Sequence, residues 1–421
     1  MSERNVQVKE FPGGLRTFSE PLGEATSVSL GLWIRAGSRD EADEVAGITH
    51  LMEHMLFKGT PSMNALEIAE AFESIGAQDN AATGEEYTVL YARFLPEHLE
   101  RALEIMSEMV VSPTLADLEK EREVIVEEIK MYEDRPDQMA DEHLSGLIFH
   151  GDTLGRPIIG SAETVRGVDH DTLRTFHIST YTAPNVLVVG SGKLDREEFE
   201  RMVEKKLAGK LSEGESFLRE AAPIPPKSRF SYKFKETEQY HVAMGSVGLP
   251  AKSEDRYAMS ALNNLLGGGM SSRLFQEVRE KRGLAYAVYS YHQGYSDTGA
   301  LKMYVGSSTG SIEEAVRVIS EQLDKIRQEP IVEEELRRTK EQLKSSTILA
   351  LESTVARMTR VGRSVITSTE LLTPEEISAR IEAVTAEDIQ RLANDHLKLE
   401  NMYLSAVGPK ELDLERYLSR Y

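Results

Sequence analysis

The chain has 421 residues, 70 acidic against 49 basic side chains, a formal net charge of −21 and no cysteine. That length exceeds one ordinary hydrophobic core, so two or more domains are expected. The acidic balance argues against nucleic acid or an anionic membrane as partner, and the missing cysteines exclude disulfides and thiolate metal sites.

The first residues, "MSERNVQVKEF", are polar and lack the apolar core of a signal peptide. No run of 18 apolar residues occurs, so no membrane contact is expected and the cytoplasm is the expected compartment. "SVSLGLWIRAG" (27–37) sets Val28, Leu30, Leu32 and Ile34 against smaller or polar neighbours and predicts a strand. "GITHLMEHMLFKGT" (47–60) reads as a helix that starts near Gly47 and Thr49. "NALEIAEAFESIGA" (64–77) is an amphipathic helix stopped by Gly76. "EYTVLYARFL" (86–95) is a second strand, and helices are predicted over 98–113 and 115–134, the second long and charged.

The same order recurs. Residues 312–330 form an amphipathic pattern ending at a proline, as 98–113 do, and a long charged helix is predicted over 331–352. Residues 167–203 and 383–418 both read as helix, exposed turn, strand and second helix, and 241–250 takes the part of the opening strand. An internal repeat of about half the chain accounts for this. Pro225 and Pro226 favour extended backbone and mark a linker. The expected division is a domain over 1–212, a linker over 213–229 and a related domain over 230–421. Each half mixes antiparallel-type strands with long helices, so the fold class is α+β, with each half a mainly antiparallel sheet carrying packed helices.

The chemistry concentrates in "HLMEH" (50–54). On a helix, His50 and His54 are one turn apart and point the same way, so two imidazoles can meet one cation. Glu53 lies beside that edge, where a general base for an activated water belongs. H-x-x-E-H is the inverted order of a known zinc-peptidase helix motif. The motif alone leaves open a metal site or an ordinary helix face that carries histidines. A catalytic zinc takes three protein ligands and keeps one position open. Glu121 and Glu128 lie two helical turns apart on the charged helix, with Val124, Ile125 and Ile129 as apolar contacts beside that face. Glu128 is the expected third ligand, and Glu121 the expected acceptor for a ligand imidazole. Glu127 points about 100° away, and Glu119, Glu123 and Glu133 read as solvated charge.

"GITHLMEHMLFKGT" followed by "EREVIVEEIKMYEDRP" resembles the pitrilysin family of zinc metallopeptidases, which includes insulysin and the mitochondrial processing peptidase. The likeness extends over essentially the whole chain. It implies two related α+β domains facing each other across a cleft, one Zn2+ per chain on His50, His54 and Glu128, Glu53 as base, and Glu121 behind the ligands. It also implies that Asn80, Ala81 and Ala82 form a sheet edge that takes up an extended peptide substrate. The other reading of that stretch is a polar loop before a strand.

The second half has no H-x-x-E-H cluster. "REKRGLAY" holds Arg279 and Tyr286, a pair the family carries in its second domain. A phenol and a guanidinium suit the charge that builds on an attacked carbonyl oxygen. The glycines at 267–269 lack the residues of a phosphate cradle and read as a loop. The expected function is zinc-dependent endopeptidase, with a non-catalytic scaffold or regulatory subunit of the same fold as the alternative. Hydrolysis of something other than peptides is a second rival. The two-domain length resembles that of processing-peptidase subunits, which work in pairs, so a homodimer is among the expected assemblies.

Overall fold

The computed structural model describes residues 6–214, 219 and 228–418, so the expected linker lies mostly outside the described residues. The first part of the chain contains β1 (Gln7–Glu10), β2 (Arg16–Pro21), β3 (Val28–Ile34), α1 (Ile48–Leu56), α2 (Ala65–Ser74), β4 (Gln78–Thr83), β5 (Thr88–Phe94), α3 (Leu99–Val111), α4 (Leu118–Glu133), α5 (Pro136–Ile148), α6 (Ala162–Gly167), α7 (His170–Thr180), β6 (Val186–Gly192) and α8 (Arg196–Lys206). Then follow β7 (Phe230–Phe234), β8 (Gln239–Gly248), α9 (Arg256–Gly267), a π-helical turn at Phe275–Glu280, β9 (Ala285–Gly294), β10 (Gly299–Ser308), α10 (Ile312–Gln328), α11 (Glu333–Ala350), α12 (Thr354–Ile366), α13 (Pro374–Glu382), α14 (Ala386–His396) and β11 (Tyr403–Gly408). The predicted strands and helices are present with ends within a few residues, except the last helix of the second half.

The repeat is visible in topology. One sheet runs β1-β2-β6-β3-β5-β4 and the other β7-β11-β8-β10-β9. Leaving β1 aside, each takes its five strands in the order first, fifth, second, fourth, third. All neighbours are antiparallel except β2–β6 and β11–β7, which are parallel. The α+β class and the mainly antiparallel sheets are as expected.

The compact units depart from a division at the linker in two segments. The first unit comprises Met1–Lys130, Arg156–Leu218 and Leu349–Thr373, and the second comprises Met131–Gly155, Arg219–Ile348 and Pro374–Tyr421. Thus α5 packs in the second unit and α12 in the first. The reason is where each apolar face finds cover. Ala140, Leu144 and Ile148 of α5 join Ala243, Ala300 and Val407 of the second sheet. Met358, Val361 and Ile366 of α12 join Phe18, Trp33, Leu187 and Val189 of the first. Burial of a side chain of this size is worth about 1.5–3 kcal/mol, so each helix follows its sheet.

This placement explains the "smaller or polar" alternation of β3. Every residue of β3 is buried, including Ser29, Gly31 and Trp33. Ser29 hydrogen-bonds Thr354 at 2.8 Å, and the indole Nε1 of Trp33 donates to Sδ of Met358 at 3.2 Å. Small residues on this face make room for α12 rather than for water. The turn before β6 differs in the same sense: Thr182, Ala183 and Asn185 are buried, although the sequence reads as an exposed turn. In the other half the last helix is reduced to a short 3-10 turn, Glu415–Leu418.

Gly362 of α12 lies against the Trp33 ring, and a Cβ there would come within 2.2 Å of the indole. Gly362→Val is therefore expected to destabilise the first unit by about 1–3 kcal/mol through overpacking. Urea unfolding followed by the emission of Trp33, the only tryptophan in the chain, measures this. An unchanged midpoint would contradict the α12–β3 contact.

Candidate metal centre

The site is built on α1 and α4 of the first unit. Helix α1 starts at Gly47, whose φ of +93° is left-handed. A Cβ there would sit 2.6 Å from the carbonyl oxygen of Ile159, so only glycine fits. The free N–H groups of the first turn are met by Glu41, which is buried and accepts from the Gly47 and Thr49 amides at 2.8 Å each. Burial pushes the Glu41 carboxyl up to about 7, although these donors act in the opposite direction.

His50 and His54 present their rings together, with centroids 4.7 Å apart. Oε2 of Glu128 lies 4.0 Å from Nε2 of His50 and 3.6 Å from Nε2 of His54. Ligand atoms from all three lie within 4.8 Å of one another. Two donors about 2.0–2.1 Å from one tetrahedral ion stand roughly 3.3 Å apart. Small side-chain adjustments would bring these three to that spacing, and three protein donors leave a fourth position open. No cysteine is needed.

The tautomer of His54 is set from behind. Its Nδ1 lies 2.9 Å from Oε1 of Glu121, so Nδ1–H donates to the carboxylate and Nε2 is left as a lone-pair donor toward Glu128. His50 is held neutral by burial, with a smaller contribution from His54, at a pKa of about 4, which is the ligand form of an imidazole. Its Nδ1 is buried with no partner among the described residues.

The two carboxylates of this face differ in burial. Glu121 is only 3% exposed, while Glu128 keeps 31% of its side chain accessible. The reason is pairing: Glu121 also receives Lys58 at 2.7 Å. Burial by itself would raise the Glu121 carboxyl, but hydrogen bonds from His54 and Lys58 outweigh it and hold it below the usual range. Val124, expected to support this face, is exposed, whereas Ile125 and Ile129 are buried. Glu127 points to solvent and pairs with Lys130.

Glu53 stands beside the ligand edge and accepts a hydrogen bond from Oγ1 of Thr83. Burial raises its carboxyl above the usual range, partly offset by Thr83 and by His54. A base whose proton affinity is lifted toward neutrality suits proton transfer. The buried phenol of Tyr181, whose hydroxyl has no partner among the described residues, is pushed up by burial first and by the Glu53 charge second.

Asn80, Ala81 and Ala82 lie in β4, the edge strand of the first sheet, and not in a loop. Asn80 and Ala82 are exposed, and Oδ1 of Asn80 accepts from the Ala81 amide at 2.9 Å.

Arg279 and Tyr286 are brought together within the second unit. Arg279 lies in the π-helical turn, one residue before its end, and donates to the carbonyl oxygen of Tyr286 at 2.9 Å. Its guanidinium lies 4.4 Å from the Tyr286 ring centroid and 4.8 Å from that of Phe275. Tyr286 itself is 78% exposed, so its hydroxyl is free for a ligand. Of the predicted glycine loop, Gly267 belongs to the end of α9 and Gly268 caps it.

Sequence reasoning missed Lys58, Thr83 and Glu41. Lys58 was findable, because it lies one turn beyond His54 and so on the same face as the imidazole that needs Glu121. Thr83 and Glu41 act across loops and carry no spacing signal.

The chain matches two family models, "Insulinase (Peptidase family M16)" over residues 16–162 and "Peptidase M16 inactive domain" over 167–343. It is 40% identical over 398 residues to a Bacillus subtilis protein named an uncharacterized zinc protease, covering 94% of this chain and 96% of that one. A Streptomyces coelicolor protein of the same description is 37% identical over 417 residues, covering 96% and 90%. Among solved structures, one titled as a peptidase M16 inactive domain from Pseudomonas fluorescens superposes with a TM-score of 0.90 at 23% identity, covering 97% of this chain and 99% of that one, a likeness of fold. No helix among the described residues is long and apolar enough to cross a membrane. With both models matched and these relatives aligned along nearly their full length, the chain belongs to the insulinase family of peptidases, M16, the pitrilysin type.

Proposed function

We propose that this protein is a zinc-dependent endopeptidase that hydrolyses peptides bound in extended conformation. The observation that carries the reading is the convergence of His50, His54 and Glu128 with Glu53 beside them, in a chain whose relatives are named zinc proteases. A zinc ion on these three residues would polarise a water and a peptide carbonyl.

The chain's own groups do the rest. The free edge of β4 offers backbone N–H and C=O groups to an extended peptide, and Ala81 and Ala82 let another backbone come close. Glu53 takes a proton from the attacking water and returns it to the leaving amine. Glu121 keeps His54 in the tautomer that presents Nε2. Tyr286 donates to the carbonyl oxygen as negative charge builds there, with Arg279 beside it as a fixed positive charge.

Glu53→Gln keeps the three donors and removes the base. It is expected to retain metal, measured by elemental analysis, and to lose on the order of 10²–10⁴ in kcat. The test is digestion of a peptide library with mass-spectrometric product mapping, run with the wild type, with a chelator and with Glu53→Gln. Cleavage that survives the chelator, or full turnover in the variant, sinks the proposal, and no cleavage at all favours a scaffold.

Glu121→Gln leaves a weaker acceptor at His54 Nδ1 and removes the charge opposite Lys58. Zinc affinity, read by competition with a chromogenic chelator, should fall about 10–100-fold. Tyr286→Phe removes one donor and should lower kcat on the order of 10² while zinc affinity stays at the wild-type value. A loss of zinc in that variant would contradict the assigned role.

A further inference from the structure

One side-chain hydrogen bond joins the edge strand to the catalytic helix. Thr83 is the last residue of β4, paired with Thr88 of β5. Its Oγ1 donates to Oε2 of Glu53 on α1. No other hydrogen bond reaches the Glu53 carboxyl from the described residues. Side chains alternate along a strand, so Ala81 shares the face of Thr83. Both are half-buried, while Asn80 and Ala82 are exposed.

A glutamate has three rotatable side-chain bonds, and a general base must be held within about 0.5 Å of its productive position. For Glu53, one contact does most of that work. A hydroxyl donating to a carboxylate is charge-assisted and stronger than a neutral hydrogen bond. It occupies Oε2 and leaves Oε1 for the proton of the attacking water.

We propose that Thr83 is a positioning residue for the hydrolysis: its hydroxyl orients the Glu53 carboxylate and ties the base to the strand along which the peptide lies. The proposal rests on the peptidase reading above. Thr83 keeps its proton throughout. The transferred proton moves from water to Oε1 of Glu53 and then to the leaving amine, while the Thr83 bond to Oε2 persists as the carboxylate becomes an acid and is regenerated. Because the strand's backbone pairs the peptide and its last side chain aims the base, loss of the hydroxyl should affect turnover and leave peptide binding as it was.

Thr83→Val removes the hydroxyl and keeps the β-branched shape. Its kcat should fall on the order of 10–100-fold with KM within about twofold of wild type, the pattern of an interaction that matters in the transition state. Thr83→Ser restores the hydroxyl and should return kcat to within a few-fold. In the Glu53→Gln background, Thr83→Val should add little, because the two act as one unit. A second readout needs neither metal nor turnover. In metal-free protein labelled with ¹³C at the glutamate carboxyl carbons, the Glu53 resonance is assigned by its loss in Glu53→Gln. It should move in Thr83→Val and return in Thr83→Ser.

An unmoved resonance in Thr83→Val, or a rise in KM at unchanged kcat, overturns the assignment of Thr83. So does a full additional loss in the double variant. A wild type that cleaves nothing while the resonance moves overturns the peptidase reading, and with it the positioning role, but leaves the Thr83–Glu53 contact standing. A wild type that cleaves while the resonance stays fixed overturns the Thr83 proposal alone.

Discussion

The site depends on one buried carboxylate. Glu121 has almost no access to water, and an ion in that position is costly unless cations meet it. The partners come from α1 and the residues just past its end: His54 donates through Nδ1–H, and Lys58 supplies the positive charge of its ammonium group. This three-way contact locks α1 against α4. Once it is made, Glu128, two turns further along α4, falls opposite the free Nε2 atoms of His50 and His54. The same carboxylate therefore sets both the crossing of the helices and the tautomer of His54. Neither role can be altered without the other, which is why a charged group is retained where an apolar one would pack at lower cost.

Much of this was legible in the sequence, because helical spacing is a local property. His50 and His54 one turn apart, and Glu121 and Glu128 two turns apart, need only the 3.6-residue repeat to be placed on faces. The repeat of strand and helix order was legible for the same reason and appears as the shared strand order of the two sheets. What failed was non-local. The sequence placed Glu121 and Glu128 on one face without ranking their burial, and the structure buries Glu121, because burial follows the position of Lys58 and not the apolar pattern of α4. Val124 looked like support and is exposed. Thr83 and Glu41 reach α1 across loops, and no periodicity records such a contact. The exchange of α5 and α12 was hidden as well: an amphipathic helix shows that it needs a partner, and does not show which sheet supplies it.

That choice of sheet carries an electrostatic label. On the first sheet, Glu20 of β2 is buried and meets Arg357 at 2.9 Å and Arg360 at 3.3 Å, both from α12. On the second, Lys302 of β10 is 2% exposed and meets Asp141 of α5 at 3.0 Å and Ser145 at 2.7 Å. The signs are opposite: the sheet is acidic and the helix basic in one unit, and the reverse in the other. Two repeated halves with similar strand order run the risk of each covering its sheet with the wrong helix. With the arginines of α12 laid near Lys302, or Asp141 of α5 near Glu20, like charges would be desolvated together, which costs more than an unmet apolar contact gains. The pairs add little net stability over apolar residues of the same size, and their use is selection between two otherwise similar arrangements.

The edge strand shows the same economy. An open strand edge is a template for unwanted pairing, and proteins restrict it with charge, short length and local capping. β4 has six residues and begins with Gln78, Asp79 and Asn80, all exposed and polar. Asn80 folds its own side chain over the Ala81 amide, so that donor is occupied until a ligand displaces it. The stretch left for another backbone is narrow and lies toward Thr83, which holds Glu53. Any backbone that pairs there has its register set by the few open groups, and those groups end at Thr83, which contacts Glu53. The restriction that protects the edge from aggregation thus leaves its open groups next to Glu53.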